Sequence, residues 1–298
     1  MRSVHRGRVV ACFGKEWAVE DKSGRLVLAY PSVKCRELPC IGDLIEWESI
    51  DSQRGRILAV LPRITCLVRP GRNGKPRAAA ANVDQVLIVI APEPKFDLLL
   101  VDQYLVVGES QNIKPLLVVN KVDLLTDEAR GCLLQELAPY RSSYPLLTVS
   151  AKTGEGIEAL RSALKNQTSM FAGQSGVGKS SLLHVLIPNQ AVRIGELSAI
   201  TRRGRHTTTS ARLFHLPDGG DLIDTPGVAI FGLAGIDPQQ LARGYREFRS
   251  FIPQCRFADC QHASDLGCAV RHATETGAIS LDRYQRYLKL LAKLPEIS

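Results

Sequence analysis

The chain has 298 residues, of which 45% are hydrophobic and 23% charged. That length allows two or three domains, and the composition is that of a globular protein. The longest apolar runs, such as "VLIVIA" at 86–91, suit buried strands and are too short to cross a bilayer. A formal net charge of +8 favours a polyanionic partner, either nucleic acid or a membrane surface. The opening "MRSVHRGRVV" lacks the apolar centre of a secretion signal, so a cytoplasmic location is expected.

Residues 1–66 read as all-β. The segments "GRVVACFG", "EWAVED", "GRLVLAY", "DLIEWESI" and "GRILAVLP" are short, rich in strand formers, and separated by Gly, Asp, Ser and Pro. Five such strands suit a small closed barrel. An OB-fold leads because it also binds oligonucleotides, with an SH3-like barrel as the alternative. Trp17, Tyr30 and Trp47 are either base-stacking residues or core. The next segment, "RPGRNGKPRAAAAN" at 69–82, is basic, holds two prolines, and reads as a linker.

From residue 83 strands and helices alternate. "QVLIVIA", "KPLLVVN", "PLLTVS" and "TSMFAG" read as strands, separated by the helical "FDLLLVDQYLVVGES", "TDEARGCLLQELAPY" and "GIEALRSAL". The helix "KSSLLHVLI" and the strands "ARLFHLP" and "DLIDTPG" follow. This alternation predicts a parallel or mixed sheet covered by helices. Between them, "QAVRIGELSAITRRGRHTTTSA" is polar and basic, and reads as a mobile loop. Beyond residue 232 the chain turns helical. "DPQQLARGYREFRSF" starts a helix at Asp237 with Pro238 in its first position. In "SLDRYQRYLKLLAKL", Leu281, Tyr284, Leu288 and Leu291 share a face expected to pack. The expected domains are a barrel over 1–66, an α/β domain over 67–232 and a metal-binding domain over 233–298.

"GQSGVGKSS" follows a strand and opens a helix, the context of a phosphate-binding loop. Glycines let its N–H groups turn toward phosphate oxygens, and the helix dipole favours the anion. The loop comprises Gly173, Gln174, Ser175, Gly176, Val177, Gly178, Lys179, Ser180 and Ser181. Lys179 would reach the β- and γ-phosphates, and the Ser180 hydroxyl would ligate Mg²⁺. Asn120, Lys121, Val122 and Asp123 end another strand. A carboxylate at Asp123 can accept from both N1–H and N2–H₂ of guanine, donors that adenine lacks there. Ser150, Ala151 and Lys152 end the next strand, where a backbone N–H can reach guanine O6. Asp224 is placed to bind Mg²⁺ through water, and Gly227 to offer its N–H to the γ-phosphate. Base-reading segments therefore precede the phosphate loop. A circular shift of the usual chain order accounts for this, because the termini of compact domains often lie close together.

Cys255, Cys260, His262 and Cys268 supply three thiolates and one imidazole. That set suits a closed, structural Zn²⁺ site, with His272 as a possible substitute ligand.

Together, the barrel, "NKVD", "SAKTG", "GQSGVGKSS", "GRHTTT", "DTPG" and the Cys/His cluster resemble the circularly permuted GTPases. The likeness is specifically to the ribosome small subunit-dependent GTPase A (RsgA, also YjeQ) family, over essentially the whole chain. The resemblance implies a multidomain α/β fold: an OB-fold barrel, a circularly permuted P-loop GTPase domain and a helical zinc domain. It implies GTP and GDP, Mg²⁺ and one Zn²⁺ as ligands. It also implies hydrolysis of GTP, stimulated by the 30S subunit during that particle's late maturation, with 16S rRNA as a contact. A monomer with no membrane partner is expected. By the same resemblance "TRRGRHTTTS" is the first switch. One of Thr207, Thr208 and Thr209 binds Mg²⁺ there, with Thr208 favoured. Small GTPases orient water with a Gln just after DxxG, and this chain has Val228. His206 is the candidate catalytic replacement, its alternative being contact with RNA or solvent. Gly176 stands where potassium-activated relatives carry Asn, so no obligatory potassium ion is expected.

Overall fold

Five strands close on one another at the N-terminal end: β1 (Val4–Phe13), β2 (Glu16–Asp21), β3 (Leu26–Pro31), β4 (Leu44–Ser49) and β5 (Arg54–Val60). In this computed structural model residues 3–33, 35–70, 76–188, 211–225 and 232–294 are described. The strand order is β1-β2-β3-β5-β4, closed by pairing of β4 with β1. Strands β3 and β5 run parallel. This is an OB-like closure. Inward-facing Val9, Val19, Val27, Ile45 and Ile57 pack with Trp17 and Trp47. Both tryptophans are therefore core residues, whereas Tyr30 is 39% exposed.

The segment read as a linker is a hairpin arm. Strand β6 (Cys66–Pro70) pairs antiparallel with β7 (Pro76–Ala81). Its alanines are poor strand formers, which hid it in the sequence. Their small size is what lets it lie close to the barrel. Ala80 and Ala81 are fully buried, and the Ala81 N–H donates to the Ile41 carbonyl at 2.9 Å.

The second sheet contains β8 (Gln85–Ile90), β9 (Lys114–Val119), β10 (Leu146–Thr148), β11 (Thr168–Ala172), β12 (Arg212–His215) and β13 (Asp221–Asp224). Its order is β10-β9-β8-β11-β13-β12. Neighbours are parallel except β12 and β13. Side chains alternate between its faces. Val86, Ile88 and Ile90 meet α1 (Leu98–Ser110). Leu87 and Val89 meet α4 (Ile157–Leu164) and α5 (Lys179–Leu186). Burial on both faces explains why β8 reads as an unbroken apolar run. Helices α2 (Asp127–Glu136) and α3 (Ala138–Arg141) lie between β9 and β10.

Helices α6 (Pro238–Gly244), α7 (Ala269–Glu275) and α8 (Leu281–Leu291) complete the chain. Asp237 caps α6 in a reciprocal box with Gln240. Helix α6 packs closely on α1, since a Cβ at Gly244 would lie 3.0 Å from the Val106 Cα. The buried face of α8 agrees with the expected one at Tyr284, Leu288 and Leu291, which pack on the core, and departs from it at Leu281 and Arg283. Its buried residues are Arg283, Tyr284, Tyr287 and Leu290, while Leu281 is 57% exposed. The reason is electrostatic: Arg283 turns inward to Asp102 of α1 at 2.5 Å. The expected mobile loop at 190–211 lies almost wholly outside the described residues.

The barrel joins the second sheet through pairing of β1 with β12 at Ala11 and Arg212. Arg8 donates to Asp221 at 2.5 Å and to the Thr168 hydroxyl at 3.0 Å. His215 bridges Asp221 and Glu20. Burial alone would push the Asp221 carboxyl up, but the His215 hydrogen bond and the Arg8 charge hold it below the usual carboxylate range. Its folded value is therefore the lower one. The stabilisation is complete above the unfolded value, about 3.9, and is lost as pH falls through the folded value. Asp221→Asn should remove this component. Thermal unfolding followed from about pH 5 to 2 should decline less steeply than in the natural chain; an unchanged slope would exclude Asp221 as the source.

Candidate functional site

The C-terminal ends of neighbouring parallel strands form one edge, the usual ligand position in open α/β sheets. Strand β9 delivers Asn120–Asp123 to it, β10 delivers Ser150–Lys152, β11 delivers the glycine-rich loop, and β13 ends on Asp224. A cavity of about 350 Å³ opens there, lined by residues of three of these segments, including Asn120, Lys121, Asp123, Ala151, Lys152 and Gly178. Segments far apart in sequence thus share one pocket.

Asn120 is 1% exposed. Its Nδ2 donates to the Val177 carbonyl at 3.0 Å, and its Oδ1 accepts from the Ala151 N–H at 3.2 Å. One side chain therefore ties the glycine-rich loop to the segments that follow β9 and β10. The Ser150 hydroxyl donates to Asp123 Oδ1 at 2.6 Å and accepts from the N–H groups of Lys152 and Thr153. This fixes one carboxylate oxygen of a residue that lines the cavity. Val122 is buried and anchors the turn. Lys121 has φ of 62°, and its Nζ donates to the Glu93 carbonyl at 2.8 Å.

In the glycine-rich loop, Gly178 has φ of 92°, and a Cβ there would lie 2.3 Å from Asn120 Nδ2. Only glycine permits that contact. Lys179 Nζ donates to the carbonyls of Gly173 and Gln174 at 2.7 and 2.8 Å. Burial lowers the Lys179 pKa, opposed by the charge of Asp224. Burial raises that of Asp224, opposed by Lys179 and Arg212. Their charges thus act on one another at the strand edge. Ser175, Gly176, Ser180 and Ser181 are exposed at the mouth of the loop. His206, Thr208 and Gly227 lie outside the described residues.

One supporting segment escaped the sequence reading. The segment between β8 and α1 receives Lys121 at Glu93, and Gln174 Nε2 donates to the Lys95 carbonyl at 2.9 Å. Both acceptors are backbone atoms, which a residue pattern does not reveal. The turn in "PEPK" is the signal that marks it.

In the C-terminal segment, ligand atoms of Cys255, Cys260, His262 and Cys268 lie within 4.8 Å of one another. His262 Nδ1 is 3.5 Å from the sulfurs of Cys255 and Cys268. Tetrahedral zinc, with Zn–S near 2.3 Å, places its ligand atoms about 3.5–3.8 Å apart, so the donor set fits. Burial pushes the Cys260 thiol up to about 12 and that of Cys268 in the same direction. A bound cation reverses this preference by stabilising thiolates. His272, the alternative ligand, is exposed beside Glu275 and outside the cluster.

The model of the RsgA GTPase family matches residues 60–234. This chain belongs to the RsgA GTPase family. The small ribosomal subunit biogenesis GTPase RsgA of Ectopseudomonas mendocina (strain ymp) is 44% identical over 296 residues, covering 97% of this chain and 86% of the relative. Its namesake from Pseudomonas fluorescens (strain SBW25) is 43% identical over 296 residues, covering 98% and 86%. Among solved structures, YjeQ from Thermotoga maritima matches with a TM-score of 0.80 at 33% identity, covering 99% of this chain and 100% of that one. YloQ, a circularly permuted GTPase, matches with a TM-score of 0.75 at 26% identity, covering 99% and 98%. Membership makes this RsgA-family chain a GTP hydrolase using guanine nucleotide and Mg²⁺.

The cysteine cluster yields a direct test. Cys260→Ser should lower bound zinc, measured by elemental analysis of purified protein, from about one equivalent to well below half. Full retention would show that Cys260 is not a ligand.

Proposed function

We propose that this RsgA-family GTPase binds the small (30S) ribosomal subunit in the cytoplasm and assists its late maturation. The subunit stimulates hydrolysis of GTP to GDP and phosphate, and hydrolysis releases the protein from the matured particle. The reading is carried by the shared pocket of the base-side and phosphate-side segments, together with the names of near-full-length relatives. The protein acts as a monomer and contacts 16S rRNA, in keeping with its net charge of +8.

In this reading Asp123 accepts from guanine N1–H and N2–H₂, and Lys121 lays its stem along the ring. A backbone N–H of Ser150–Lys152 reaches O6. The N–H groups of residues 173–181 and the Lys179 ammonium hold the phosphates, and Gly227 reaches the γ-phosphate. Ser180 and Thr208, with Asp224 acting through water, would hold Mg²⁺, which would supply charge neutralisation at the β- and γ-phosphates. His206 orients the attacking water, a role that Val228 has no polar atom to fill. One structural Zn²⁺ sits on Cys255, Cys260, His262 and Cys268. The domains follow as a barrel over 1–66, a GTPase domain over 67–232 and a zinc domain over 233–298.

GTP turnover measured with and without purified 30S subunits tests the central claim. It should rise with 30S and not with 50S; no rise with 30S would remove the proposal. His206→Ala should lose the stimulated rate while binding GDP normally, and full stimulation would dismiss its role. Asp123→Ala removes two hydrogen bonds to a charged group, together about 3–6 kcal/mol. GDP affinity should therefore fall by about 10²–10⁴-fold, with ADP unaffected. Unchanged preference for GDP over ADP would place guanine recognition elsewhere.

A further inference from the structure

Helix α1 touches both the phosphate loop and the C-terminal module, on opposite faces. Toward the loop, the Tyr104 hydroxyl lies against the Gly173 backbone. The segment leading into α1 receives Gln174 on the Lys95 carbonyl, and Asp97 caps the helix on the Leu99 N–H. On the far side, Asp102 and Glu109 are seven residues apart and so share one face. Each holds a pair of arginines spaced three apart. Asp102 accepts from Arg283 at 2.5 Å and Arg286 at 2.7 Å, and from the Tyr140 hydroxyl at 2.7 Å. Glu109 accepts from Arg246 at 2.7 Å and Arg249 at 2.5 Å.

The contact continues into the cysteine cluster. Arg283 lies between the rings of Tyr140 and Tyr245, at 4.5 and 4.7 Å, and also pairs with Glu247. On α8, Tyr284 donates to the His262 carbonyl and Tyr287 to the Gln261 carbonyl, both at 2.7 Å. The helix that holds Asp102 therefore also holds the backbone of the metal-binding loop.

We propose that α1 transmits the state of the phosphate loop to the Cys/His loop, with Asp102 and Glu109 as positioning residues. The trigger is Lys179. Its ammonium rests on the carbonyls of Gly173 and Gln174, and bound phosphate oxygens are stronger, charged acceptors. When Lys179 turns to them, it releases the two residues on which α1 and its leading segment rest. The Asp102 pairs are buried and oriented by several partners, and the half-exposed arginines on Glu109 add a second tie, so the C-terminal module follows α1 as a body. The proposal rests on the guanine-nucleotide reading of the pocket.

Amide hydrogen exchange on the full chain, with and without saturating GDP, tests it. GDP should slow exchange in residues 120–123, 173–180 and 255–268, the last by about fivefold or more. In Glu109→Gln and Arg286→Lys the first two should stay protected, while the GDP effect at 255–268 falls toward none. A merely structural weakening would raise exchange in both states and leave their ratio unchanged. Asp102→Asn adds the strongest perturbation where it folds; the milder variants decide where it does not. No GDP effect at 255–268 in the natural chain, or a full effect in both variants, overturns the transmission alone. No protection at 120–123 or 173–180 overturns the nucleotide reading with it.

Discussion

Parallel hydrogen bonding among β9, β8, β11 and β13 is the constraint on which the site depends. It sets strand ends side by side at one edge, whatever their order along the chain. A sheet records spatial neighbours and not the sequence of synthesis, which is why rotating the chain order leaves the pocket whole. The remaining precision comes from a few buried polar groups. Asn120 joins three loops and Ser150 fixes Asp123, so the segments after β9, β10 and β11 are held in one geometry.

The C-terminal module is attached by charge as well as by apolar packing. A carboxylate such as Asp102, fully buried in an apolar helix, is costly unless it is paired and hydrogen-bonded. Here both conditions are met by residues that come nearly two hundred positions later. An arrangement of this kind tolerates few orientations, because each guanidinium must keep its planar fork on fixed oxygens. The close approach of α6 to α1 at Gly244 adds a steric limit to the electrostatic one.

Much of this was legible in the sequence. The strand and helix alternation, the barrel strands, and the base-side, phosphate-side and cysteine segments rest on local patterns of spacing and residue type. What escaped depends on long-range partners or on backbone atoms. The β6–β7 arm looked like a linker because alanine carries little strand preference, and its burial against Ile41 is a tertiary fact. On α8, Tyr284, Leu288 and Leu291 pack as expected, but the inward turn of Arg283 was missed because its partner lies in α1. Asp102 itself was the missed signal: one acid inside "LLLVDQYLVV" is an anomaly that asks for a cation. The acceptors at Glu93 and Lys95 are carbonyls, invisible to any residue code.

The position of β11 has a consequence for the growing chain. It inserts between β8 and β13, and Gln85 meets Ser169 across 84 residues. Until β11 is made, β8 presents an unpaired edge, the most hydrophobic in the sheet, to the cell. At translation rates of about 5–20 residues per second, that interval lasts roughly 4–17 s. Exposed apolar edges are where wrong pairings begin. In this chain order the exposed apolar edge thus belongs to a central strand, for the time that synthesis takes to close the gap.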